Sequence, residues 1–293
     1  MDRLRRRQVF GPDGYPVAAA VIALDGPVAT HTHDFLELAV LLEGRVTYAT
    51  PDGDRPLEAG AVMAVRPGDW HGYADQHDPA VIANLYLGPE LLHGELRWLL
   101  EVGDLGRFLL RGGVAVDGLD DPGRHRVRER VDELSRVRAQ PSRASAVLAV
   151  GLTCAVLGEL GEIRLDEDHR PALSPIVRSV LLLIGRRPAH PWTMAELATE
   201  VGASVSHLHR EFRGQLGLTP MAWLARNRAE LAASLLLQTD RPVGWVGAQV
   251  GWPDPNYFSR CFRRAYGISP STYRRWNTIS PAAPGALTPP FTH

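Results

Sequence analysis

The chain has 293 residues, enough for about two domains, and its 45% hydrophobic and 22% charged residues are ordinary for a globular protein. Its apolar runs are far too short to span a bilayer, and the arginine-rich residues 1–7 lack the apolar stretch of a secretory signal. Because Cys154 and Cys261 are its only cysteines, a structural disulfide is not expected. The composition therefore favours a cytoplasmic protein over a secreted or membrane protein.

The net charge of −1 hides an uneven distribution. Residues 174–276 carry 13 Arg against 6 acidic residues, a net charge of +7, whereas the rest of the chain carries 19 Arg against 27 acidic residues, a net charge of −8. A basic part joined to an acidic part is typical of nucleic-acid-binding proteins. The C-terminal part is therefore predicted to bind nucleic acid.

Short apolar runs alternate with turn residues in the first third of the chain. The predicted strands span 17–24, 35–42, 45–50, 60–65 and 80–86, with a hairpin turn at 51–54. A spacing of roughly ten residues with turns between the runs is typical of an antiparallel β-sandwich or a small barrel.

Four potential metal ligands lie within this region. His31, His33 and Glu37 have the same parity, so they would point to one face of a single strand. His71 on a neighbouring strand would complete a set of three histidines and one carboxylate, which suits Zn, Fe, Mn or Ni. Alternatively, the same groups are hydrogen-bonded residues of the barrel interior or polar contacts to a small ligand.

The spacing of these groups resembles the cupin signature. His31-x-His33 is followed by Glu37 and Gly44, and P-G-x-x-H ends at His71. The resemblance covers about residues 15–90 and implies a barrel of the kind that commonly encloses one small ligand.

Three helices are predicted after the barrel, at 90–102, 124–138 and 144–162, and the segment 103–123 is expected to be irregular. The second helix carries an apolar stripe. The third has apolar residues on more than one face, which fits either dimerisation or burial within one chain. The polar, proline-containing residues 164–171 favour a linker.

The basic C-terminal part contains a helix-turn-helix pattern. After a helix over 174–187, Thr193 caps a short helix, Gly202 makes a tight turn, and Ser204 caps a second helix. The second helix of such a unit, the recognition helix, enters the DNA major groove.

The same pattern recurs after a long helix predicted over 220–238. In the second copy Gly251 makes the turn, Asp254 caps the helix and Gly267 ends it. Leu208, Arg210 and Phe212 of the first copy correspond to Phe258, Arg260 and Phe262, each 50 residues later. An internal repeat that carries its arginine at the same place favours two DNA-binding units.

Residues 174–276 resemble the AraC/XylS family of bacterial transcription regulators. The resemblance depends most on G-W-x-D-x-x-Y-F-S-R-x-F-R-x-x-Y-G-I-S-P, from Gly251 to Pro270, and a cupin-like N-terminal domain is usual in this family. The resemblance to this family implies two helix-turn-helix units that are joined by a rigid helix and lie in successive major-groove segments of double-stranded DNA. By position, the base-contacting residues would be Ser206, His209, Arg210, Asn256, Ser259 and Arg260, and the phosphate-contacting residues Arg213, Arg263 and Arg264.

The second unit departs from the family pattern in two ways. Gly244 and Gly247 lie in its first helix, where each weakens the helix by about 1 kcal/mol relative to Ala. Pro255 stands where a polar contact residue often lies, so we expect this unit to rely on Asn256 and Arg260.

The sequence thus predicts an α+β two-domain protein, with a cupin-like antiparallel β-barrel and flanking helices before an all-α double helix-turn-helix domain. The expected parts are a sensor domain at 1–165 (barrel about 15–90, helices about 90–163), a linker at 166–173, a DNA-binding domain at 174–276 and a disordered tail at 277–293.

The predicted function is a one-component, sequence-specific transcription regulator. It is expected to be a homodimer, without enzymatic activity, that responds to a small molecule or a metal bound in the barrel. Two alternatives stay open: a cupin metalloenzyme, such as a dioxygenase or isomerase, fused to a DNA-binding module, and an architectural DNA binder with a vestigial sensor.

Overall fold

A computed structural model of the chain describes residues 2–10, 15–76, 79–94, 96, 98–99, 103–115, 118–140, 142–162 and 173–278. These residues form two compact units. The first contains the described residues up to 88 together with 104–162, and the second contains those of 89–103 and 173–278. The predicted α+β two-domain fold is confirmed. Within the described ranges, no helix has both the length and the apolar character needed to cross a membrane.

The strands of the first unit are β1 (Asp2–Leu4), β2 (Val17–Leu24), β3 (Val28–His33), β4 (Leu36–Glu43), β5 (Arg45–Thr50), β6 (Gly53–Glu58), β7 (Val62–Val65), β8 (Trp70–Gln76), β9 (Ala80–Leu87) and β10 (Gly113–Val114). They form two five-stranded sheets, ordered β1-β3-β8-β5-β6 and β10-β7-β4-β9-β2. The pairing of β1 with β3 is parallel, and the other pairings are antiparallel.

The two sheets pack face to face around one apolar core. Val46 and Tyr73 from the first sheet and Leu41, Met63 and Ile82 from the second are among its buried residues. Because successive strand residues point to opposite faces, each sheet buries one face in this core. The result is the cupin-like antiparallel barrel that the sequence predicts.

The sequence located five strands to within two residues but gave no bounds for β3, β6 and β8 or for the short strands β1 and β10. These strands contain histidine, threonine, glycine, aspartate and arginine, so they lack the alternation of apolar and polar residues on which strand prediction depends. The predicted hairpin at 51–54 is confirmed, because β5 and β6 pair across it with Thr50 opposite Gly53.

The placement of the histidines and Glu37 on a single strand was wrong. His31 and His33 belong to β3, but Glu37 belongs to β4 in the other sheet. The chain bends at Asp34 and Phe35, so the parity of one strand does not continue past this point. Two facing sheets, and not one strand face, bring the side chains together.

The described helices are α1 (Arg6–Val9), α2 (Pro89–His93), α3 (Gly103–Arg111), α4 (Asp121–Ala139), α5 (Arg143–Glu159), α6 (Pro175–Arg186), α7 (Met194–Glu200), α8 (Val205–Leu216), α9 (Pro220–Gln238), α10 (Val243–Gln249), α11 (Pro255–Tyr266) and α12 (Pro270–Thr278). Helix α3 corrects the expectation of an irregular segment at 103–123. Its two glycines obscure the helical pattern, but Leu105, Phe108 and Leu109 share one face and are buried. The predicted apolar stripe of α4 is buried as well.

The predicted linker and tail lie almost entirely outside the described residues. Leu173 is buried, and α12 continues to Thr278, two residues past the expected end of the domain. The segment that begins with α2 is grouped with the C-terminal unit, where α2 packs against α9.

The two helix-turn-helix units are α7–α8 and α10–α11, with α9 between them. The recognition helices α8 and α11 begin at residues 205 and 255, as the 50-residue repeat predicts, but α7 and α10 begin at residues 194 and 243. The turn from Gly251 to Asp254 is therefore one residue longer than the turn from Gly202 to Ser204. This longer turn accommodates Trp252, which is buried.

Aromatic packing in the second unit explains Gly247. A Cβ at this position would lie 2.8 Å from Cδ1 of Phe258 and 2.8 Å from the carbonyl oxygen of Trp252. At Gly244 a Cβ would meet nothing within 4 Å. The expectation that both glycines simply weaken α10 therefore applies to Gly244 alone.

We expect Gly247→Ala to lower the free energy of unfolding by about 1–3 kcal/mol, because overpacking forces Phe258 or the backbone to shift. The matched change Gly244→Ala should raise it by up to about 1 kcal/mol through helix propensity. Urea unfolding followed by circular dichroism measures both. Changes of the same sign would contradict this account of Gly247.

Candidate DNA-binding helices and metal centre

Both recognition helices begin and end at residues suited to those places. The side chains of Ser204 and Asp254 each accept a hydrogen bond from the backbone N–H three residues further on, which satisfies a donor at the helix start. Gly217 and Gly267 then end the helices with left-handed backbone at φ +73° and +70°. These local signals define two helices of twelve residues each.

The two recognition helices also bury and expose matching positions. The buried residues are Leu208, Phe212 and Leu216 in α8 and Phe258, Phe262 and Tyr266 in α11. Among the predicted DNA contacts, Ser206, Arg210, Arg213, Asn256, Arg260, Arg263 and Arg264 are exposed, and His209 and Ser259 are half-buried. Each helix is therefore anchored by one apolar face and presents a polar, arginine-bearing face to solvent.

Sequence reasoning missed Tyr257 on α11. Its side chain is 48% exposed, and Cζ of Arg260 lies 5.7 Å from the centre of its ring, within the range of a cation–π contact. This contact orients the Arg260 side chain before any DNA is bound. The signal in the sequence was the spacing of three residues between Tyr257 and Arg260, which places both side chains on one face of the helix.

A second group of polar side chains lies between the two sheets of the N-terminal unit. His31 and His71 are opposite each other in the β3–β8 pair, and their ring centres are 4.4 Å apart. Glu37 approaches from β4, with Oε2 3.5 Å from Nε2 of His71. All three residues are buried, and one donor atom from each lies within 4.8 Å of the other two. Two imidazoles and a carboxylate form a donor set that suits divalent transition metals.

The protonation states of His31 and Glu37 also suit a metal. Burial, followed by repulsion from His71, lowers the pKa of His31 to about 4, although Glu37 opposes the shift. Because Nδ1 of His31 donates to the carbonyl oxygen of Ala29 at 3.1 Å, the neutral ring carries its lone pair on Nε2. Burial raises the pKa of Glu37, but attraction to His71 and the close approach of His33 and His71 hold it well below its usual range. Neutral imidazole and ionised carboxylate are the forms that bind metals.

His33, the fourth predicted ligand, contacts the carboxylate of Glu37. Its Nδ1 donates to the carbonyl oxygen of Phe35 at 2.8 Å, and its ring stacks on that of Phe35 with centres 4.4 Å apart. Its Nε2 lies 3.2 Å from Oε2 of Glu37. These contacts hold both His33 and the Glu37 carboxylate in one orientation.

The cavity at His31, Glu37 and His71 is small. Its volume is about 10 Å³, close to the space that a single water molecule needs. Apolar side chains such as Ile22 and Ile82, together with Tyr73 and Asn84, line the rest of it. Among the described residues, neither ring nitrogen of His71 has a hydrogen-bond partner. An unpaired, buried nitrogen beside such a space fits a bound ion.

Three tyrosines, Tyr48, Tyr73 and Tyr86, are buried near Glu37. Burial raises the pKa of each phenol, and the negative charge of Glu37 raises it further. The phenols are therefore neutral at physiological pH, whereas the Glu37 carboxylate is ionised.

Comparison with known proteins finds a matching family for each of the two parts of the chain. The AraC-like ligand-binding domain family matches residues 24–121, and a helix-turn-helix domain family matches residues 197–275. The transcriptional activator RhaR of Shigella dysenteriae is 26% identical over 278 residues, which cover 94% of this chain and 97% of RhaR. RhaR of Escherichia coli is similar to the same extent, with 26% identity over 278 residues and the same shares of both chains.

A crystal structure of ToxT from Vibrio cholerae, bound to an unsaturated fatty acid, has a TM-score of 0.50 at 14% identity. The similarity covers 92% of this chain and 98% of ToxT, and at this identity it supports the fold alone. The matches to the barrel, to the helix-turn-helix region and to RhaR along nearly its whole length all lead to one assignment. The chain belongs to the AraC family of transcription regulators, with an AraC-like ligand-binding domain followed by a helix-turn-helix DNA-binding domain.

Proposed function

We propose that this protein activates transcription by binding double-stranded DNA with α8 and α11, under the control of a divalent metal ion in the barrel. The DNA-binding part rests on one observation, the repetition of the same exposed, arginine-bearing helix face 50 residues apart. The name of RhaR as a transcriptional activator supports activation. A protein that acts on the bacterial chromosome works in the cytoplasm.

Position along the two helices supports a division of roles among the predicted contacts. Recognition helices contact base edges mainly through their N-terminal residues. The proposed base contacts are Ser206, His209, Arg210, Asn256, Ser259 and Arg260, all in the first two turns. Arg213, Arg263 and Arg264 lie one turn further on and suit phosphate contacts.

The proposed metal ligands are His31, Glu37 and His71. Their donor set suits Zn, Fe, Mn or Ni, and a bound ion would supply positive charge beside Glu37. His33 is proposed to orient Glu37 and not to bind the ion, because its Nε2 is directed at the carboxylate.

The size of the cavity weighs against an organic effector and against the alternative of a metalloenzyme. Pockets for organic ligands are roughly 300–1,000 Å³ in volume, whereas this cavity is about 10 Å³. An organic effector would therefore require the barrel interior to rearrange. A dioxygenase or isomerase would also need space for its substrate beside the metal, so we propose that the protein is not an enzyme.

Helix α5 supports a homodimer. Val147 is 74% exposed and Leu148 is 54% exposed. The exposed Ala144 and Gly151 continue the same face by one turn in each direction. An apolar, uncharged helix face of this kind can pair with itself across a two-fold axis.

Arg260→Ala should weaken binding to a specific duplex by about 1–3 kcal/mol, because a bidentate contact to guanine is lost. Binding to random-sequence DNA should change much less. Fluorescence anisotropy measures both at one salt concentration, because phosphate contacts make the affinity depend on salt. Arg263→Ala, which removes an exposed arginine one turn further on, is the matched control. Equal losses on the two duplexes would assign Arg260 to phosphate.

Protein purified without an affinity tag should contain a divalent ion, and His71→Ala and Glu37→Gln should each remove it. Added Zn²⁺ or Mn²⁺ should raise the melting temperature of the wild type, since a ligand at 100 times its Kd stabilises by about 2.7 kcal/mol. Both variants should lose this response. His125→Ala, which removes an exposed histidine of α4, is the control. A wild type with neither bound metal nor a metal-dependent shift would disprove the site.

Leu148→Glu should convert the dimer to a monomer, because it places a charge on the proposed interface. Ala139→Glu adds the same charge at an exposed position at the end of α4 and should leave the dimer intact. Analytical ultracentrifugation at one protein concentration compares the three proteins. A monomeric wild type, or a dimeric Leu148→Glu variant, would argue against α5 as the interface.

A further inference from the structure

The guanidinium of Arg228 joins the two DNA-binding units. Arg228 lies on α9 and is 8% exposed. Its Nε donates to the carbonyl oxygen of Pro188 at 2.8 Å, and its Nη2 donates to the carbonyl oxygen of His190 at 2.7 Å. Both carbonyls belong to the loop between α6 and α7. The Arg228 side chain therefore fixes the loop that leads into the α7–α8 helix-turn-helix unit.

The same loop is attached to α7. Nε2 of His190 lies 2.6 Å from Oε1 of Glu196 on α7. Trp192 donates from Nε1 to the carbonyl oxygen of Arg187 at 3.0 Å, and the Arg187 guanidinium lies 4.5 Å from the centre of the Trp192 ring. The contact between His190 and Glu196 ties the loop to α7, and α8 follows α7 across a tight turn.

On its other side, the Arg228 guanidinium meets the turn of the second unit. Gly251 has φ +83°, and a Cβ there would lie 2.7 Å from the carbonyl oxygen of Ala189 and 2.7 Å from Nη2 of Arg228. Cζ of Arg228 is 6.0 Å from the centre of the Trp252 ring. Glycine at position 251 lets the α10–α11 helix-turn-helix unit pack directly on the loop before α7.

Helix α11 also lies within reach of Arg228. Burial lowers the pKa of Arg228, whereas the electrostatic influence of Tyr257 and Cys261 of α11 raises it. Tyr257 also makes the cation–π contact with the guanidinium of Arg260.

We propose that Arg228 is a positioning residue that fixes α8 and α11 relative to each other and thereby sets the half-site spacing that the protein accepts. The planar fork of arginine can donate to two carbonyls at once, whereas a lysine ammonium acts as a point charge. A buried charge with two strong acceptors resists displacement. The inference rests on the two-unit DNA binding proposed above, but not on the metal site or on which side chains contact bases.

The test uses the full chain and a duplex selected with it from a random library. Three duplexes are compared: the full site, a site with one half-site scrambled, and a full site with one base pair inserted between the half-sites. The wild type should bind the full site most tightly, because one bound unit raises the effective concentration of the other. The insertion moves one half-site by about 3.4 Å along the duplex and should remove much of this gain.

Arg228→Met should weaken binding to the full site by about tenfold or more, because the affinity gained when both helix-turn-helix units bind one duplex is lost. The affinity for the site with one scrambled half-site should change much less. It should also reduce the penalty of the inserted base pair. Arg228→Lys keeps the charge but not the fork, so it should resemble Arg228→Met. Arg186→Met removes an exposed arginine of the same unit and should leave the spacing preference unchanged.

Gly251→Ala disturbs the same contact from the other side without removing a charge, so it should change the same measurements even if Arg228→Met fails to fold by circular dichroism. The proposal is overturned if folded variants lose affinity equally for the full and the scrambled sites, or keep the insertion penalty of the wild type. Selection of a single half-site by the wild type would also overturn it. Absence of specific DNA binding by the wild type would overturn the proposed function, and this inference with it.

Discussion

The C-terminal unit depends on a central helix that has little free surface. Eleven of the nineteen residues of α9 are buried, because α2, α6, α8, α10, α11 and α12 all pack against it. Its buried residues include Asn227, Arg228 and Glu230. Polar and charged groups destabilise an interior unless they are paired, so the partners of these side chains restrict where the surrounding segments can lie. Apolar packing alone would allow the neighbouring helices more freedom to slide.

Most of the C-terminal unit could be predicted from the sequence because its signals are local. A cap such as Ser204 or Asp254 acts within one helical turn, so its effect does not depend on distant residues. The longer second turn and the need for Gly247 could not be predicted in this way. They follow from the positions of Trp252 and Phe258 in the folded unit, and residue spacing does not reveal which side chain will occupy a given space.

Prediction was weaker in the barrel, where polar residues occupy inward positions. In β3 and β8 the buried positions include His31, His33 and His71, so the strands lack the apolar alternation that identifies a half-buried strand. The spacing of the residues predicted that Glu37 lies close to the histidines. It did not predict the structural feature that brings them together. The bend at residues 34–35 transfers the chain to the other sheet, and contact between two sheets is a long-range property. Local rules fail most often at such sites.

The small cavity at His31, Glu37 and His71 also bears on the proposed metal site. Glu37 is an ionised carboxylate that is 2% exposed, and a buried charge is costly unless it is compensated. The neighbouring tyrosines are neutral, so compensation falls to His33 and His71, whose nitrogens lie 3.2 Å and 3.5 Å from the carboxylate. A divalent ion would compensate the charge more fully, and it would compete with protons for the same donor atoms. The described residues leave about 10 Å³ at His31, Glu37 and His71, so this cavity matches the proposed cation better than it matches a sugar-sized molecule.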